Sequence, residues 1–165
     1  MNTRCRRGLT IIECLLAVTI LSFSVLVISY TVVAVQAQAD AGDSLARAAR
    51  LAHDLLEEIV SRPFDDPGGA SQPGPEPGET RRHQFDNVDD YADYAESPGQ
   101  LTDPAGTLHD PAWQVCGRSV TVVNSTQAMP DLGASFAGLL VTVTITEPKT
   151  GQWQFSRFIP RPLGN

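Results

Sequence analysis

Residues 9–35 read LTIIECLLAVTILSFSVLVISYTVVAV, 27 positions that carry a single formal charge, at Glu13. A helix needs about 20 consecutive apolar residues to cross the hydrocarbon core of a bilayer, so this run is long enough to span one. A secretory signal peptide would have a shorter apolar core followed by a small-residue cleavage site, and this stretch fits neither requirement. Arg4, Arg6 and Arg7 precede the run and no comparable basic cluster follows it. That asymmetry predicts a cytoplasmic N-terminus and an extracytoplasmic bulk. Glu13 is the anomaly. A carboxylate four residues inside an apolar run costs several kcal/mol in lipid unless it is partnered, so it is a candidate functional residue, the plain alternative being that it snorkels to the headgroups.

Outward on the N-terminal side, Arg6-Arg7-Gly8-Leu9-Thr10-Ile11-Ile12-Glu13 resembles the processing motif of type IV prepilins and type II secretion pseudopilins. The family pattern is a basic leader, a Gly, an apolar or aromatic residue, Thr, two aliphatics and a Glu, with Leu9 here in place of the commoner Phe. The resemblance implies that a prepilin peptidase removes residues 1–8 by cutting after Gly8, and that the new Leu9 amine is then N-methylated. A residue without a side chain suits passage of the backbone through a narrow protease cleft. The resemblance also implies that Glu13 pairs with the Leu9 ammonium of a neighbouring subunit, which a low dielectric would strengthen. Its further implied partners are other pilin or pseudopilin subunits, an inner-membrane assembly platform and the membrane itself.

Outward on the C-terminal side, Leu45, Ala48, Ala49, Ala52, Leu55, Leu56 and Ile59 recur at helical spacing, with Asp43, Arg47, Arg50, Asp54, Glu57 and Glu58 mostly opposite. No proline occurs before Pro63, which ends the element. A helix over about 9–61 would run roughly 80 Å at about 1.5 Å per residue, with Gly42 as its weak point. Residues 36–62 form its amphipathic half. The stretch LARAARLAHDLLEEIVSRPFDDP is similar to the same region of minor pilins akin to the mannose-sensitive haemagglutinin pilus.

Residues 65–82, DDPGGASQPGPEPGETRR, are too rich in Pro and Gly for a helix or central strand, and 63–112 as a whole reads as a loop region. Within it FDNVDDYADY (85–94) predicts a short helical turn or an irregular loop against the domain. Asp86, Asp89, Asp90 and Asp93 raise calcium binding, but their spacing departs from the EF-hand loop and a solvated turn is expected. Residues 113–165 carry the sheet: Trp113–Val123, Leu139–Thr146 and Gln152–Ile159 predict antiparallel strands. Val141, Val143 and Ile145 alternate with threonines, and 147–151 forms a hairpin turn. The expected class is α+β, one long helix packed on an antiparallel sheet, which the pilin resemblance implies independently.

The 165-residue chain suits one small globular unit. Its formal charge is -7; without Arg4, Arg6 and Arg7, nine basic residues face nineteen acids, a charge of -10. Such a field repels phosphate backbones, so nucleic acid is not an expected partner. Cys5, Cys14 and Cys116 form no disulfide framework, and Cys14 and Cys116 are expected to be small buried hydrophobes. There is no P-loop, GxSxG or HExxH motif. His53, His83 and His109 are dispersed, and Trp113 and Trp153 are expected to pack on the sheet. No cofactor or metal is assigned, and the chain is not expected to be an enzyme. The functional expectation is a minor pilin or pseudopilin in an envelope filament. The alternative is a signal-anchored single-pass protein with an extracytoplasmic ligand-binding or enzymatic domain.

Overall fold

The computed structural model describes residues 10–69, 74–148 and 150–162. The chain forms two compact units that divide between Gly42 and Asp43. Helix α1 (Ile11–Val60) runs through that boundary without a break, and is followed by four strands, β1 (Ala95–Glu96), β2 (Gly117–Met129), β3 (Ala134–Glu147) and β4 (Gly151–Pro160). The strands pair in sequence order, antiparallel throughout. The class is α+β, as the hydrophobic patterning predicts.

In the first unit every residue of α1 from Ile11 to Gly42 is exposed in the isolated chain. That includes Cys14, which therefore does not share the burial expected of it. In the second unit α1 turns an apolar stripe to the sheet: Ala48, Leu51, Ala52, Leu55, Leu56 and Ile59 are buried. Leu51 joins this stripe at helical spacing from Ala48 and Leu55, whereas Leu45 stays exposed. The opposing layer comes from period-2 alternation, with Val141, Val143 and Ile145 inward beside Val120. Register makes the layer continuous. Val120 pairs Val143 and Val143 pairs Phe155, while Ile145 pairs Trp153, so these side chains share one face. Each fully buried Leu, Ile or Val contributes about 1.5–3 kcal/mol.

The sheet is larger than its apolar stretches suggest. β2 extends to Met129 and pairs with β3 from Ala134, so the polar run NSTQAM forms one side of a ribbon that β4 does not flank beyond Gly138. The ribbon turns through a 3₁₀ segment, Pro130–Leu132, and closes on Gly133 at φ +58°, the left-handed conformation that glycine accepts readily. Trp113 lies in a turn before β2 rather than in a strand, yet it still packs against the core. The short strand β1 adds a fourth member where a loop was expected.

The segment between helix and sheet supplies core residues as well. Phe85, Val88, Tyr91 and Leu101 are buried in the same cluster as the helix stripe. Phe85 and Tyr91 meet edge to face with centroids 5.1 Å apart, and Tyr94 completes the aromatic group at 5.8 Å from Phe85. The acidic and aromatic stretch thus folds around a 3₁₀ turn, Asp89–Tyr91, pinned inward by its apolar members. Val88 N–H also donates to the Pro63 carbonyl at 3.1 Å, fixing the turn beside the end of α1.

Candidate functional site

Gly8, Leu9, Arg4, Arg6 and Arg7 lie outside the described residues. Glu13 is described, and its surroundings explain how α1 begins. Thr10 precedes the first helical residue, and its N–H and Oγ1 both donate to Glu13 Oε2, at 2.8 and 2.9 Å. The Glu13 N–H reaches back to Thr10 Oγ1 at 3.4 Å. This is a reciprocal capping box: Thr10 at the N-cap, Glu13 three residues on, each satisfying a backbone donor of the other. A carboxylate in the first turn also meets the positive end of the helix dipole. Sequence reasoning that treats Glu13 only as an intramembrane charge misses this, although the T-x-x-E spacing before an apolar run is the signal that reveals it.

The apolar unit is prepared for a waterless environment at its hydroxyls too. Thr19, Ser22, Ser24, Ser29 and Thr31 each donate to a carbonyl of the preceding turn at 2.8 Å. No water is needed to satisfy these five groups, so they do not oppose burial in lipid or against other helices. This segment is long and apolar enough to cross a membrane, and its apolar window is exposed among the described residues. Large side chains such as Ile11, Phe23 and Tyr30 are more than two-thirds exposed (82%, 73% and 71%). Exposed apolar surface of this extent is the kind that membranes or protein partners cover.

Among the described residues of the second unit, two buried ion pairs tie its loops down. Arg82 binds both carboxylate oxygens of Glu58 through Nε and Nη2. Tyr91 Oη donates to Glu58 Oε1 at 2.8 Å. Glu58 was expected on the polar side of α1; it is instead nearly enclosed, because Arg82 and Tyr91 fold over it. Across the loop, Arg118 pairs with Glu96 directly opposite in the β1–β2 register. Thr102 joins the pairs. Its carbonyl accepts from Arg82 Nη1 at 2.7 Å and from Arg118 Nη2 at 2.5 Å, while its N–H and Oγ1 donate to Glu96 at 3.0 and 2.5 Å. Burial raises the Tyr91 and Tyr94 hydroxyls, reinforced by Glu58 and by Glu96 respectively, and Tyr94 is pushed up to about 12. Burial also raises the Cys116 thiol, with Glu147 acting in the same direction. These groups stay protonated at neutral pH.

The aspartates noted in the sequence separate. Asp86 and Asp90 approach Glu76 and Glu79 of the preceding loop, one carboxylate oxygen from each lying within 4.8 Å of the others, whereas Asp89 and Asp93 are not in this group. The hydrogen bond with Glu79 pushes the Glu76 carboxyl up to about 7, with burial and the nearby Asp90 and Asp66 adding to it. Burial raises Asp86, the acids Glu79, Asp66 and Asp90 act likewise, and Arg62 opposes them. His53 is exposed on α1 and stands 4.0 Å from Glu57, and His83 and His109 belong to none of these groups. No protein-family model matches the chain, and no curated protein or solved structure matches it either.

Proposed function

We propose that the chain is a type IV pilin-like subunit, a minor pilin or pseudopilin, that is cut after Gly8, N-methylated at Leu9 and assembled through α1 into an envelope filament. The observation that carries this reading is one acid, Glu13, at the start of a long, exposed apolar helix. The leader arginines support an N-terminus in the cytoplasm and a globular unit outside the inner membrane. In this account the peptidase and the assembly platform act on the N-terminal segment, and neighbouring subunits cover α1. The globular unit is a binding or spacing surface, not an enzyme.

Two roles meet at Glu13: capping its own helix and neutralising the Leu9 ammonium of a neighbour. Glu13→Gln separates them, since Gln also completes a capping box but carries no charge. In cells with an active prepilin peptidase, the Gln variant should be processed normally yet fail to enter the sheared filament fraction. Normal incorporation would remove the pairing role.

A further inference from the structure

We propose that Glu76, Glu79, Asp86 and Asp90 together bind one calcium ion, which clamps the loop carrying the two glutamates onto the buried turn carrying the two aspartates. The spacing of the acids is the first reason. One oxygen from each residue lies within 4.8 Å of the other three, and ligands on opposite sides of a calcium ion stand about 4.8 Å apart, twice a bond of about 2.4 Å.

The second reason is independent of the cluster's charge. Asp90 is wholly buried, 0% exposed, and its Oδ1 accepts no hydrogen bond among the described residues. Its other oxygen, Oδ2, is fixed by the N–H groups of Asp86 and Asn87 at 2.9 and 3.1 Å, and the Asp90 N–H donates to Asn87 Oδ1 at 3.0 Å. The carboxylate is therefore held rigidly with one enclosed oxygen unsatisfied. Asp86 Oδ1 is likewise enclosed and without a donor among the described residues. An enclosed carboxylate oxygen with neither donor nor cation is strongly disfavoured, more so among other acids. Arg62 supplies the positive field that reaches Asp86 from the end of α1, but one guanidinium does not balance four carboxylates.

The donor set selects the ion. All four ligands are hard carboxylate oxygens with no His or Cys among them, which disfavours zinc and copper. Magnesium prefers one or two carboxylates and keeps several waters, whereas calcium accepts many carboxylates in an adaptable shell. The glutamates are partly ordered in advance, the Glu76 N–H donating to Glu79 Oε2 at 3.2 Å. The site stands whether or not the chain joins a filament.

The test is calcium titration of the full chain in detergent micelles by calorimetry, with the thermal midpoint read in parallel. One calcium per chain should bind by millimolar concentration and raise the midpoint. Glu76→Gln with Glu79→Gln should weaken binding at least tenfold while leaving the calcium-free midpoint unchanged or higher, since repulsion is relieved and the buried aspartates are untouched. No uptake at millimolar calcium, uptake undiminished in the double variant, or equal affinity for magnesium would overturn the assignment.

Discussion

Arg82 grips Glu58 with two nitrogens across 24 residues of sequence, and both side chains are almost wholly enclosed, at 6% and 9% exposure. Tyr91 adds a third donor to the same carboxylate. This arrangement closes the loop after α1 onto the helix that precedes it, and burial of Phe85, Val88 and Tyr91 depends on that closure.

Removal of one partner leaves the other charge buried without compensation, which costs about 3–5 kcal/mol. Glu58→Ala and Arg82→Ala should each destabilise the globular unit on that scale in denaturant titration of the chain in micelles. The double variant should cost much less than the sum. Additive losses would show that the two side chains are not energetically coupled.

Glu96 gives a pH dependence of known sign. Burial alone would raise its carboxyl above the ordinary 4.5, but hydrogen bonds from Arg118 and Thr102 and the Arg118 charge hold it below that value. The folded state thus binds a proton less readily than the unfolded state, so stability from this group is complete above the ordinary carboxylate range. It is lost as pH falls through the depressed folded value. Glu96→Gln should lower stability at pH 7, and its deficit should shrink as the medium is acidified. A deficit independent of pH between neutrality and strong acid would contradict the ionic role.

Gly138 lies in β3 opposite Pro160 of β4. A Cβ there would lie 2.2 Å from the Ile159 carbonyl oxygen and 2.7 Å from the Phe158 ring. The oxygen belongs to the backbone and cannot move without disturbing the ladder, so Gly138→Ala should cost about 1–3 kcal/mol. An unchanged thermal midpoint would mean the strands separate easily at that point.

The sequence makes the fold class legible because it rests on local periodicity: the apolar run of α1, the stripe at Ala48, Ala52, Leu55 and Ile59, and the alternation at Val141, Val143 and Ile145. What it hides depends on distant partners. Glu58 looks like a solvent-facing residue until Arg82 and Tyr91 cover it, and Asp90 looks like one acid among four until the turn buries it. The ribbon half of β2 is illegible for another reason: Asn124–Met129 is held by backbone pairing with β3, not by an apolar face. Glu13 is legible in two ways, as an isolated acid and, from the T-x-x-E spacing, as the last member of a capping box whose bonds the geometry at Thr10 shows.

Intact-mass and N-terminal analysis of the protein from native membranes, in cells with an active prepilin peptidase, bears most directly on the filament account. A chain that begins at N-methylated Leu9, eight residues short, is the predicted result. A chain that retains Met1 to Gly8 would contradict it and would make α1 an uncleaved signal anchor.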